Sequence, residues 1–409
     1  MTVHFPESLP IPDEVLEIAR KLEGAGHETW CVGGAVRDNL LLLENHDFDL
    51  ATAATPDVVQ RLFRRTVPIG VEHGTVAVLD RHGAPHEVTT FRKDVRTDGR
   101  HAVVEFGVSL DEDLARRDFT INAIAYHPIE GRWRDLFGGA ADLDAGVIRA
   151  VGDAGRRFRE DYLRIVRALR FAARFGFTIE PATWEAARAN VEGTAYLSAE
   201  RVRDEWFKGL ETAGRAGDLV RLWQEVGVLE VWLPEIGEAG SGTREALDRF
   251  GGRDPVLLTS YLSSDPEATL RRLRCSNPEI ERGRLIGEHR ADLPDPASPR
   301  EVRRWHARVG PAADDLVAIA RSEGGGEALE TAVAEIRLSG APLTIGDLAL
   351  NGSDLMALGM SQGPDVGRTL RALLEAALDD PSLNTREALV GLVRGGTGGR
   401  GRGRGRGRP

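Results

Sequence analysis

Cysteine is almost absent. Cys31 and Cys275 are the only two in 409 residues. Their scarcity excludes a disulfide framework and any cysteine-rich zinc site, and fits a reducing cytoplasm. No apolar run approaches the ~18 residues that span a bilayer, and the N-terminus has no basic-then-apolar signal pattern, so no membrane partner is expected. Net positive charge is lacking too: 53 Lys and Arg stand against 64 Asp and Glu, a net charge of −11. A polyanionic partner would have to be held by a local basic face and not by the overall field. The last sixteen residues, RGGTGGRGRGRGRGRP, carry six arginines and no acid, which leaves the rest more acidic still. Neither G-x-x-x-x-G-K-[ST] nor G-x-G-x-x-G occurs, so two common phosphate-binding signatures are excluded.

What is present is enough apolar residue, 41%, to bury real cores in two to four domains of ~100–200 residues each. The first 150 residues mix strand and helix. ETWCVGG reads as a strand ending on glycine, AVRDNLLLL as a helix and DFDLATAA as a second strand. TPDVVQRLFRR starts a helix, with Thr55 as N-cap and Pro56 in the first turn. GTVAVLD and HEVTTF read as strands of a hairpin joined at RHGAP. From about Val151 apolar residues recur at helical spacing, as in EDYLRIVRALRFAARF, and no further strand is expected. The reading is α+β: a small mixed head, then an all-helical remainder. The Arg-Gly segment from Arg394 has nothing with which to build a core and is expected to be disordered.

Chemistry concentrates in four segments. In DFDLAT, Asp47 and Asp49 are two apart on a strand and so share a face, with Phe48 and Leu50 anchoring the other. Two like charges held together need neutralising. A hard cation such as Mg²⁺ does this with one or two carboxylates and substrate phosphates, and a pair of ions could activate an attacking hydroxyl and stabilise leaving pyrophosphate. A solvated strand end is the plainer alternative. Gly33 and Gly34 precede a helix and let backbone approach a phosphate, with Arg37 one turn in; taken alone, they could equally make a turn. Arg116, Arg117 and Asp118 in ARRDFTINAIAY, taken alone, could be a surface charge run. On a helix Asp161, Arg164, Arg167 and Arg170 would form one stripe, either an ion-pair ladder or a base reader. A carboxylate accepting from an amino group beside an arginine donating to a ring nitrogen takes cytosine or adenine and rejects guanine and uracil.

In this order GGAVRD, DFDLAT, RRDFTINA and EDYLRIVRALRFA resemble the class II tRNA nucleotidyltransferase/poly(A) polymerase family. The similarity continues through LSAERVRDEWFKGL to NGSDLMALGMSQGPDVGRTLRALLEAALDDPSLNTREALVGLVR, nearly the whole chain. The resemblance implies a polymerase β-like nucleotidyltransferase head at 1–150, a helical neck for nucleotide selection at 151–215, a helical body and tail for tRNA at 216–393, and the Arg-Gly tail at 394–409. It implies template-independent addition of CCA to tRNA from CTP and ATP with Mg²⁺, and no obligate protein partner. It assigns Asp47 and Asp49 to the metals; Gly33, Gly34 and Arg37 to the triphosphate; Arg116, Arg117 and Asp118 to ribose and phosphates; and Asp161 and Arg164 to base reading, with Arg167 and Arg170 extending that face. Glu87 stands where a third acid could approach the metals. TTFRKDVRTDGRHAVVEF matches the flexible-loop region of enzymes adding the whole CCA end, which speaks against CC-only addition. A-only or CC-only addition, a poly(A) polymerase and a non-catalytic RNA-binding protein remain as alternatives.

Overall fold

The computed structural model describes residues 5–97 and 102–397. The chain divides into two compact units. The first runs to Asp248 and includes Arg253–Pro255 and Arg272–Arg274; the second comprises Arg249–Gly252, Val256–Arg271 and Cys275 onward.

The first unit opens with helix α1 (Asp13–Gly24) and a seven-stranded mixed sheet. Its strands are β1 (Thr29–Val32), β2 (Asp49–Thr52), β3 (Thr66–Gly70), β4 (Thr75–Leu79), β5 (Pro85–Thr90), β8 (Ile124–Tyr126) and β9 (Trp133–Asp135), in the order β3-β4-β5-β2-β1-β8-β9. β6 (Arg92–Thr97) and β7 (Ala102–Phe106) form a separate antiparallel hairpin. Every residue of β1, TWCV, is buried. Trp30 and Val32 pack with Ala51, Phe91, Ala125 and, from α4 (Leu110–Ala115), Leu110 and Leu114. A reciprocal Ser109–Glu112 capping box fixes the start of α4. Helix α2 (Gly34–Leu40) leaves β1 through Gly33 at φ 80°, a conformation in which any Cβ is strained. Helix α3 (Pro56–Leu62) starts at Thr55 with Pro56 in its first turn, although the Thr55 side chain makes no cap bond.

After α5 (Gly139–Ala145) and the short β10 (Val147–Ile148), the chain becomes helical: α6 (Ala154–Glu160), α7 (Leu163–Phe175), α8 (Pro181–Ala189) and α9 (Ala199–Thr212). α7 buries Ile165, Val166, Leu169 and Phe171 and packs on α9. Three expectations need correcting. A strand does occur beyond Val151: β11 (Thr178–Ile179) pairs in parallel with β10. The helix expected through EDYLRIVRALRF is two helices, with Asp161 in extended conformation (φ −154°, ψ 107°) between them. The last helix, Arg386–Thr397, runs through Arg394, so 394–397 belong to it; the remainder of the Arg-Gly tail lies outside the described residues.

The second unit is helical among its described residues. One core gathers Val302, Trp305, Val309, Leu316, Leu329 and Val333. Another gathers Leu350, Leu355, Leu373, Ala377 and Leu389. Among the described residues no helix is long and apolar enough to cross a membrane.

Candidate active site

The acids sit where the sheet's alternation puts them. Phe48 and Leu50 are buried at 1% and 0% exposure, whereas Asp47 is exposed and Asp49, the first residue of β2, is half-buried. The Asp47 N–H donates to Asn45 Oδ1 at 3.0 Å just outside the strand. β2 pairs in parallel with β5, Leu50 opposite Val88. Glu87 therefore lies one step earlier on β5, beside Asp49. Burial, then the charges of Glu87 and Asp47, push the Asp49 carboxyl up to about 6, against the opposing pull of Arg117. Glu87, the third acid anticipated above, perturbs Asp49 more than Asp47 does. Among the described residues no three His, Cys, Asp or Glu side chains make a ready metal cage. An all-oxygen set of one or two carboxylates nevertheless fits a hard divalent cation that completes its shell from phosphate and water.

Arginines face these acids across Gly33. A Cβ there would stand 3.5 Å from Arg117 Nη1 and 3.6 Å from Asp49 Oδ2. Arg117 Nη2 donates to Asp113 at 3.2 Å, while its Nε is buried without a partner. Arg116 Nε donates to the Arg92 carbonyl at 3.1 Å and to Asp113 at 3.0 Å, pinning the base of the β6–β7 hairpin. Burial alone would raise Asp118. The Arg167 guanidinium, a hydrogen bond from Asn122 and the Phe119 N–H instead hold it well below the usual carboxylate range.

The helical wall supplies the rest. Asp161 accepts from the Leu163 N–H at 3.0 Å and from Arg201 Nη2 at 2.8 Å. Arg164 Nη2 donates to the Arg116 carbonyl at 2.9 Å. Arg167 bridges Asp118 at 2.8 Å and Glu205 at 3.4 Å. A cleft of about 540 Å³ collects Asp49, Glu87, Arg92, Arg116, Arg117 and Asp118 with Asp161, Arg164, Arg167 and Arg201.

Five of the predicted residues do not line this cleft: Asp47, Gly33, Gly34, Arg37 and Arg170. Arg37 is 3% exposed. Its guanidinium donates to Asp38 and, at 2.6 Å, to Asn122, and lies 4.9 Å from the ring centres of both Phe171 and Phe175. Arg170, also 3% exposed, is paired with Glu205 over Phe171. Neither lines the cleft: both tie α7 into the core. Gly34, the first residue of α2, would place a Cβ 3.7 Å from Arg37 Nη2. Arg201 and Arg92 were missed. Arg201 and Glu205 are four apart on α9, so their shared face was legible; the pairing of Arg201 with Asp161 across forty positions was not.

A sheet-borne acid cluster opposite arginines has the make-up of a metal-dependent nucleotidyl-transfer site. Residues 29–149 match the poly A polymerase head domain, and 176–239 the probable RNA and SrmB-binding site of polymerase A. The chain is 35% identical to the CCA-adding enzyme of Streptococcus thermophilus, over 93% of this chain and 96% of the relative. It is 37% identical to that of Lactiplantibacillus plantarum, over 92% and 94%. It superposes on the Bacillus stearothermophilus CCA-adding enzyme crystallised with CTP at a TM-score of 0.78 and 32% identity, covering 95% of this chain and 98% of the other. The chain belongs to the class II tRNA nucleotidyltransferase/poly(A) polymerase family.

Proposed function

We propose that the cleft catalyses template-independent addition of CCA to the 3′ end of tRNA, with CTP and ATP as substrates and pyrophosphate as leaving group. The observation that carries this reading is that the Asp49 cluster and the Asp161–Arg164 pair face one cleft, so one nucleotide can meet both a metal site and a base reader. The relative crystallised with CTP and the CCA-adding enzymes that share 35–37% of the sequence support the same substrates.

Asp47 and Asp49 would hold the divalent metal, which we take as Mg²⁺ from the all-carboxylate donor set; bound there, it would supply Lewis-acid activation of the tRNA hydroxyl and charge stabilisation at the phosphates. Arg117 binds the triphosphate from the cleft wall, and Gly33 leaves the room between Arg117 Nη1 and Asp49. Arg116 and Asp118 act from the same segment, Arg116 holding the hairpin base and Asp118 holding Arg167. Asp161 accepts from the amino group of cytosine or adenine, and Arg164 donates to the adjacent ring nitrogen. Arg37 and Arg170 support this arrangement from the core, and Gly34 starts the helix that carries Arg37. The head at 1–150, the selecting neck at 151–215 and the tRNA-binding remainder at 216–393 are the corresponding working regions. Arg92, at the base of the β6–β7 hairpin, lines the cleft, and the presence of this segment speaks against CC-only addition. The two cysteines are free and buried, in keeping with a cytoplasmic site of action.

The test uses purified protein, Mg²⁺ and tRNA lacking CCA, given CTP, ATP or both, with products resolved to single nucleotides. Two C residues from CTP, then one A when both are supplied, are expected. Arrest at CC, addition of A alone to a CC end, or long A tracts would replace this reading by CC-adding, A-adding or poly(A) polymerase activity. No extension at all would leave a binding protein.

A further inference from the structure

Arg157 lies in the last turn of α6, behind the cleft wall, its side chain only 13% exposed. None of the roles above uses it. Its Nη1 donates to the Arg116 carbonyl at 3.3 Å and to Glu160 Oε2 at 2.7 Å, and its Nε donates to the Val151 carbonyl at 3.3 Å. Arg164 uses the same two acceptors: Nη2 on the Arg116 carbonyl at 2.9 Å and Nη1 on Glu160 Oε2 at 3.2 Å. Arg164 Nη1 also reaches the main-chain carbonyl of Arg157 itself, at 3.2 Å. Two guanidinium forks thus share one carbonyl and one carboxylate.

We propose that Arg157 is a positioning residue for nucleotide selection: it fixes the Arg116 carbonyl and the Glu160 carboxylate so that Arg164 presents one donor edge to the base. The inference rests on the assignment of Arg164 as a base reader. A carbonyl oxygen has two lone pairs and can accept both guanidinium groups. The Glu160 charge is divided among Arg157, Arg164 and Arg156, the last at 3.1 Å. Without Arg157, the pull of Glu160 on Arg164 is less divided and the Arg116 carbonyl loses its second tether. Arg164 is then drawn toward the carboxylate and away from the position where it meets a ring nitrogen. Displacements of about 1 Å at a reacting substrate are worth up to about a hundredfold in rate. Arg116 adjoins Arg117, so the same carbonyl also registers base reading against the triphosphate segment.

The experiment compares Arg157→Gln and Arg157→Lys with the wild-type chain, measuring kcat and KM for CTP and UTP on tRNA lacking CCA and for ATP on tRNA ending in CC, KM for tRNA, and melting temperature. For both variants the expected result is a fall of about tenfold or more in CTP-over-UTP discrimination, carried by kcat/KM for CTP, with KM for tRNA unchanged. Lysine keeps the charge but cannot bond a carbonyl and a carboxylate as a rigid fork, so Arg157→Lys keeps the fold and still loses selectivity. It carries the test if Arg157→Gln does not fold. Wild-type discrimination in either folded variant would overturn the proposal. So would an equal loss for all nucleotides matched by a rise in KM for tRNA, which marks a structural role only. Discrimination that survives Arg164→Ala would sink the base-reader assignment, and this inference with it.

Discussion

Removing the Asp49 charge should stabilise the metal-free protein, and the pH dependence of that gain tests the acid cluster without any turnover. In the folded chain the Asp49 carboxyl is pushed up to about 6 from an ordinary 3.8, first by burial, then by Glu87 and Asp47. Each pKa unit is about 1.4 kcal/mol, so ionising Asp49 in the folded state destabilises it by about 3 kcal/mol above pH 6. The sign follows from proton binding. Between pH 4 and 6 the folded state holds the proton more tightly than the unfolded chain, so stability falls as pH rises through that window. Asp49→Asn removes this loss. In chelator its advantage over wild type should be absent near pH 4, grow to pH 6 and then level off, at about 6–12 °C in the melting of the unit that contains it. Adding Mg²⁺ should raise the wild-type melting temperature and leave Asp49→Asn nearly unmoved. Glu87→Gln should shift the window toward lower pH. An Asn advantage that is flat with pH, or Mg²⁺ stabilisation equal in both proteins, would refute the clustering of these acids about a cation.

Asp161→Ala should relax the preference for CTP and ATP over UTP and GTP, read by single-nucleotide extension; unchanged selectivity would remove Asp161 from base reading. Arg37→Ala removes one of two arginines on buried Asp38, Arg174 remaining at 3.0 Å, and should destabilise the fold by about 1.5–3 kcal/mol, seen in thermal melts, whereas a mere triphosphate contact would change KM and leave the melt alone. Gly33→Ala forces a Cβ into φ 80° between Arg117 and Asp49; a strain of about 1–2 kcal/mol should appear in the melt together with at least a tenfold loss of extension rate. Deletion of residues 398–409 removes five arginines and should weaken tRNA binding mainly at low salt, flattening the dependence of log K on log salt; an unchanged slope would dismiss the tail as an RNA contact.

The sequence showed what depends on local periodicity. The two-residue spacing of DFD sets Asp47 and Asp49 apart from buried Phe48 and Leu50, and the β4–β5 hairpin follows from its turn residues. What it hid depends on long-range pairing. Nothing in GGAVRD says that Arg37 turns inward, because its partners Asn122, Phe171 and Phe175 are 85 to 138 positions away. Charge in a glycine-rich segment suggested an anion contact; the aromatic pair on α7 claimed the side chain instead. β8 and β9 were unread because three residues are too few to show a period.

The break at Asp161 is the most consequential of the hidden features. An unbroken helix would set the Asp161 and Arg164 side chains one above the other on one face, with the carboxylate beside the guanidinium and free to pair with it. In extended conformation Asp161 is turned out of that ladder: its partners are the Leu163 N–H and Arg201, while Arg164 is anchored on Arg116 and Glu160. An acid and an arginine that neutralised each other would offer a nucleobase little. On the proposed reading, these separate anchors leave the two to present an acceptor and a donor to the base, which is the pattern that the amino group and ring nitrogen of cytosine and adenine require. If Asp161 and Arg164 read the base as proposed, the interruption of the helix is what separates that role from an ion-pair rung.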